Sequence, residues 1–209
     1  MSSNLLTMKH SFTQYPLQKI LAAPSHISIL RVLNQLNQGI NGRETARRAG
    51  INDRTCRLSL LRLEQLNLIE NLGSGKTKLF RLNRNHYFNK HALSALFTLE
   101  NEYLPMLKRI LKKDLHGKCV WACIYGSVAK KTDTEESDLD VCIVANDENS
   151  VNQLENLIMK WNQNIYMKFG LSFSPVILTL DQWQNSKEYR DLINDVIRNH
   201  IPLAGTKPR

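Results

Sequence analysis

The 209-residue sequence predicts a two-domain α+β chain. A mainly helical N-terminal domain carries a β-hairpin, and an α/β domain with a small mixed sheet follows it. Three observations predict this. At roughly 100–200 residues per domain, the length allows one large domain or two small ones. The charge is divided: residues 1–115 hold 18 Lys+Arg against 7 Asp+Glu, or +11, and residues 116–209 hold 10 against 12, or −2. Helical spacing of apolar residues dominates as far as Lys113, after which two strand-like runs appear, Lys118 to Tyr125 and Asp138 to Val144. The expected boundaries are a loose arm over 1–15, a first domain over 16–88, a helical connector over 89–115 and a second domain over 116–209.

Composition narrows the class. A hydrophobic share of 42% and a mean hydropathy of −0.35 are those of a chain that can build a core. The longest apolar run, Cys119 to Tyr125, is far short of the ~20 residues of a membrane span. The start, MSSNLLTMKH, lacks a basic stretch followed by a long apolar one. The expectation is a cytoplasmic protein with no membrane association. Cys56, Cys119, Cys123 and Cys142 form no CxxC pair and read as small core residues in a reducing compartment. The six histidines show no metal-binding spacing.

In chain order, Leu17, Ile20 and Leu21 begin a helical stripe. Ser25 can cap a second helix, whose face is Ile29, Val32, Leu33 and Leu36 and which Gly39 ends. A short helix over Arg43 to Ala49 closes at Gly50. Asn52-Asp53 then opens a helix to about Leu66, with its stripe at Cys56, Leu60, Leu63 and Leu66. Leu68 to Leu72 and Thr77 to Leu82 read as strands joined by Gly73-Ser74-Gly75. Tyr87 to Lys113 reads as one long helix that Pro105 should kink or split; it is the connector and a candidate homodimer surface.

Three helices and a basic hairpin over Leu17 to Asn85 resemble the winged helix-turn-helix domains of bacterial transcriptional regulators. Arg43, Arg47, Arg48, Arg54, Arg57 and Arg62 lie on the two helices of the motif, and Lys76 and Lys78 on the wing. In that geometry the second helix enters a major groove of duplex DNA while the first helix and wing meet phosphates. The expected DNA-binding set is Arg43, Arg47, Arg54, Arg57, Lys76 and Lys78, and Arg57 is the side chain expected to read guanine. Leu58 and Leu61 depart from the pattern, because they leave the core stripe where a reading helix carries polar residues. They allow the alternative of a protein-docking winged helix.

The second half runs strand, Gly126-Ser127, a polar loop over Val128 to Ser137, then Asp138-Leu139-Asp140 opening an apolar strand. Residues i and i+2 of a strand share a face, so Asp138 and Asp140 can aim two carboxylates at one volume. A divalent cation relieves their repulsion, and hard oxygen ligands suit Mg²⁺ or Mn²⁺. Gly126 permits close approach of backbone, and the Ser127 hydroxyl with neighbouring amides can hold phosphate oxygens. Lys130 and Lys131 can face triphosphate charge. A nucleoside triphosphate bridged to the metal satisfies all these groups.

The stretch from Cys119 to Leu180 resembles the nucleotidyltransferase superfamily related to DNA polymerase beta, in its minimal bacterial form. The resemblance implies transfer of a nucleoside monophosphate from an NTP to a hydroxyl. It implies Asp138 and Asp140 as catalytic metal ligands, Gly126, Ser127 and Lys130 as nucleotide contacts, and a third carboxylate on a later strand. After a helix over Val151 to Phe169, that strand is Leu171 to Thr179. It offers Ser172 and Ser174 in place of an acid, and Asp181 beyond it reads as the cap of a last helix, Gln182 to Arg198. Three functions follow: a nucleotidyltransferase with a DNA-binding winged helix, a DNA-binding transcriptional regulator whose nucleotidyltransferase fold is inactive and only binds nucleotide, or a scaffold in which both modules only mediate contacts, supported by Leu58 and Leu61.

Overall fold

The computed structural model describes residues 11–74 and 78–209. The chain divides into two compact units, 1–101 and 102–209.

In the first unit, α1 (Leu17–Ile20), α2 (Pro24–Asn34), α3 (Gly42–Ala49) and α4 (Asp53–Gln65) are joined by a small antiparallel sheet. Its strands are β1 (Ile40–Asn41), β2 (Ile69–Asn71) and β3 (Leu79–Leu82), in the order β1-β3-β2. The core joins Ile29, Leu30 and Leu33 of α2 to Cys56, Leu60 and Leu63 of α4, under Ile69, Phe80 and Leu82 of the sheet. Asn41 and Asn52 cap α3 and α4, each side chain accepting a hydrogen bond from the amide three residues on, Glu44 N at 2.9 Å and Thr55 N at 2.8 Å. Gly50 ends α3 in the left-handed region at φ 65°.

Several expectations change here. Ala23 precedes α2 and Pro24 opens it, so Ser25 is no cap; its hydroxyl instead meets that of Ser59 at 2.8 Å. The helix stops at Asn34, five residues before Gly39, and β1 uses Ile40 to extend the wing sheet. Leu17 and Leu21 are exposed, and in α1 only Ile20 is buried. The hairpin strands are shorter than expected, and Gly75, Lys76 and Thr77 lie outside the described residues. The expected connector helix begins with a π-helical turn, Asn89–Leu93, before α5 (Ser94–Leu115). Pro105 lies inside α5 without splitting it. Burial of Leu107, Leu111 and Leu115 beyond the proline outweighs the lost backbone hydrogen bond.

The second unit is a four-stranded mixed sheet in the order β6-β5-β4-β7, with β4 Trp121–Ile124, β5 Leu139–Ala145, β6 Phe173–Thr179 and β7 Ile201–Gly205. β5 and β6 are parallel, and the other pairs are antiparallel. α6 (Gly126–Lys130) follows β4, α7 (Glu148–Phe169) forms the right-length crossover between β5 and β6, and α8 (Leu180–Asn185) and α9 (Arg190–Arg198) precede β7. Period-two alternation sorts β5 into two faces. Leu139, Val141, Ile143 and Ala145 pack with Leu107 and Leu111 of α5 and Leu154, Trp161 and Ile165 of α7. Cys142 and Val144 pack with Trp183 of α8 and Ile193 and Val196 of α9.

The expected last helix is therefore two helices, broken by the polar stretch 186–189. Its cap is Thr179 rather than Asp181: the Thr179 hydroxyl accepts from Gln182 N at 3.1 Å and Gln182 Oε1 accepts from Thr179 N at 2.8 Å. β7 was not expected. Pro202 argues against a strand in the sequence, but β7 lies at the sheet edge, where a proline is tolerated.

Candidate functional site

The Asp138–Asp140 pair lies at the start of β5. Asp140 alternates with Cys142 and Val144, so strand geometry places it on the sheet face covered by α8 and α9. Asp138 precedes the strand and is exposed, while Asp140 is half-buried. Burial and the neighbouring Asp138 raise the Asp140 carboxyl above its ordinary 3.8; Lys130 lowers it and Asp195 raises it further.

Gly126 starts α6 at φ 66°. A Cβ placed there would overlap the Asp140 carboxylate, standing 2.9 Å from Cγ. Gly126 and the Asp140 carboxylate are thus closely packed, and only glycine permits both the backbone angle and the approach. The backbone N–H of Tyr125 donates to Asp140 O at 3.0 Å, which ties the end of β4 to the start of β5. Burial and Asp140 push the Tyr125 hydroxyl up to about 12, so it stays protonated.

Lys130, the last residue of α6, pairs with Asp195 of α9, its Nζ 2.8 Å from Oδ1 and 2.9 Å from Oδ2. Asp195 is the residue of this site that sequence reasoning missed. It lies 55 positions beyond Asp140 in no motif, and only the burial of Ile193 and Val196 on α9 fixes which side of the helix it occupies.

The parallel register sets Ser174 opposite Asp140. Ser174 is half-buried, and Ser172 lies outside β6 and is exposed. No group of three or more His, Cys, Asp or Glu forms a ligand cluster among the described residues. The donor set nonetheless fits a hard divalent cation that keeps water and phosphate in its shell, because such an ion needs only one or two carboxylates. Cys123 and Cys142 are buried register partners, and all four cysteines are free thiols. The neighbouring Cys142 and burial push the Cys123 thiol up, which leaves it an inert core residue.

The first unit has a basic groove of about 730 Å³ between α3, α4 and β3. Arg43, Arg57 and Lys78 line it over a floor that includes Leu60, Leu61 and Phe80. These three cations and Arg54 are exposed and make no ion pair among the described residues. Arg47 differs: it and Arg48 grip Glu44, at 2.6 Å each, and hold that carboxyl down to about 2. Lys76 lies outside the described residues. Leu58 and Leu61 are 56% and 41% exposed, as their place off the core stripe implied.

No helix among the described residues is long and apolar enough to cross a membrane. No curated protein matches the chain. Among solved structures, the chain is similar to a predicted DNA-binding transcriptional regulator from E. coli, with 22% identity over 43% of this chain and 87% of that one and a TM-score of 0.35. It is also similar to the homodimeric winged helix-turn-helix DNA-binding domain of a Mycobacterium bovis protein, with 20% identity over 48% of this chain and 95% of that one and a TM-score of 0.32. Likenesses of that size assign no function. The sequence itself matches the family described as Polymerase beta, Nucleotidyltransferase, over the segment that holds the glycine-serine turn, the acidic pair and Asp195. Residues 106–200 are a polymerase beta-type nucleotidyltransferase domain, and they follow a unit of helices with a small three-stranded antiparallel sheet.

Proposed function

We propose that the protein is a metal-dependent nucleotidyltransferase joined to a DNA-binding winged helix, moving a nucleoside monophosphate from an NTP to a hydroxyl acceptor. The observation that carries this reading is the contact of the Gly126 backbone with the Asp140 carboxylate, because it makes one site of a phosphate-holding turn and a cation-holding pair. Asp138 and Asp140 hold Mg²⁺ or Mn²⁺, which when bound offsets their charge and that of the triphosphate and stabilises charge on the transferred phosphorus. Gly126 lets the turn approach the phosphates, the Ser127 hydroxyl donates to a phosphate oxygen, and Lys130 supplies a cation beside Asp140.

On the N-terminal unit, Arg43, Arg54, Arg57 and Lys78 are free to meet the phosphates of duplex DNA, and Arg57 in the groove is the best placed to reach a base edge. Arg47 must first leave Glu44. Leu96 and Leu99 of α5, 51% and 63% exposed, offer a homodimer surface. Free thiols throughout fit a reducing, cytoplasmic setting.

A second reading is favoured by one observation. Ser174 stands opposite Asp140, and β6 carries no acid of the kind the resemblance implies on a later strand. A transcriptional regulator whose fold binds nucleotide without transferring it needs no such acid. The test is incubation of the full chain with each alpha-labelled NTP, Mn²⁺ and a cell extract. Transfer of label to an acceptor, abolished in the Asp138→Asn/Asp140→Asn double variant, supports the enzyme. Metal-dependent nucleotide binding without transfer supports the regulator.

A further inference from the structure

We propose that Asp195 is a positioning residue that keeps Lys130 off the Asp138–Asp140 pair, leaving those carboxylates open to a divalent cation. The inference rests on the metal-dependent reading of the site and adds a residue to it from outside the glycine-serine and Asp-x-Asp motifs.

The geometry is one of competition for a single ammonium group. Lys130 is the last residue of the glycine-serine turn's own short helix, and α6 packs on β5, which carries Asp140. Its charge is felt at Asp140, whose carboxyl it lowers. An ammonium on a flexible four-carbon stem, beside two carboxylates that repel one another, has a ready partner there. It makes no ion pair with either Asp138 or Asp140. Instead both oxygens of Asp195 hold it, at 2.8 and 2.9 Å.

An ion pair whose side chains are 39% and 37% exposed adds little to stability. What it fixes is where the one nearby cation rests. With Lys130 on Asp195, the acidic pair keeps its charge, and an arriving metal has no ammonium to displace. A metal-bound triphosphate held at the site would bring phosphates as a second kind of anionic partner for Lys130. Asp195 then leaves the lysine available without letting it close the cation site beforehand.

Four full-length variants test this with Mn²⁺ alone as the probe, followed by the electron spin resonance of free Mn²⁺. Asp195→Asn releases Lys130 to Asp140 and should weaken Mn²⁺ binding by about threefold or more. Lys130→Met removes the competitor and should bind Mn²⁺ at least as tightly as wild type. Asp195→Asn in the Lys130→Met background should then cost nothing, and Asp195→Glu, which preserves the pair, should behave as wild type. Unchanged binding in Asp195→Asn overturns the proposal. So does weaker binding in Lys130→Met, a comparison that holds even if Asp195→Asn misfolds. Loss that persists in the double variant assigns Asp195 a merely structural role. Wild type that takes up no Mn²⁺, or Asp138→Asn/Asp140→Asn that takes it up equally, overturns the metal reading itself, a result distinct from the others.

Discussion

Asp140 carries a cost in the metal-free protein. Burial and Asp138 raise its carboxyl above 3.8 in the folded chain. Between the unfolded and the folded values the native state binds more protons, so stability falls as pH rises through that window. At neutral pH the ionised carboxylate is therefore a net destabilising group until a cation arrives. Asp140→Asn should raise the melting temperature of the metal-free protein at pH 7. The gain should shrink as pH drops towards 3.8, where the wild-type carboxyl is itself protonated. With Mn²⁺ added the order should reverse, since only wild type gains from the ion. Calorimetric melts across pH decide it, and an Asp140→Asn protein less stable than wild type at pH 7 without metal would sink the assignment. Gly126 sets the neighbouring constraint: any side chain there meets the Asp140 carboxylate, so the turn and the acid cannot vary independently.

Elements were legible in the sequence where a local signal exists and hidden where the cause is tertiary. Gly50 and Asn52-Asp53 mark the end of α3 and the start of α4 because caps and left-handed stops act within four residues. The apolar strand that opens at Asp138-Leu139-Asp140 was legible for the same reason, since its apolar run is a local signal. β7 was not, because its strand exists only through pairing with β4. Nor was the role of Asp195, which depends on how α9 packs over β5. Sequence alternation left Ser172 and Ser174 equivalent, whereas the parallel register distinguishes them by pairing Ser174 with Asp140. Ser174→Asp should accordingly tighten Mn²⁺ binding by about threefold to tenfold, as a third oxygen donor joins the two already present. Ser172→Asp, outside β6 and exposed, should do less. Equal gains from both would mean that β6 does not set the geometry of the site.

At the scale of the whole molecule, the charge split separates two kinds of polyanion chemistry. The +11 half carries an excess of cations, and the −2 half carries the Asp138–Asp140 pair; under the proposed function the first would meet a backbone of phosphates and the second a cation-carrying phosphate. DNA binding should then come from the first unit and be governed by cations with no internal partner. Arg43, Arg54, Arg57 and Lys78 are four such groups among the described residues, while Arg31, Arg47, Arg48 and Arg81 are held by glutamates. Each neutralised phosphate contributes about −0.9 to the slope of log affinity against log salt, so with Arg57 on a base edge three phosphate contacts predict a slope of about −2.7 per bound protomer. Arg43→Ala/Arg54→Ala should flatten it by about 2, and Arg47→Ala by less, because that guanidinium is already committed to Glu44. Fluorescence anisotropy of labelled duplex DNA between low and moderate salt gives these slopes directly. A salt-independent interaction, or one that loses nothing in the arginine double variant, would turn the face of α4 with its exposed Leu58 and Leu61 into a protein-docking surface. The leucines argue for measuring the slope as well as the affinity: apolar contact adds binding without salt dependence, whereas phosphate contact cannot.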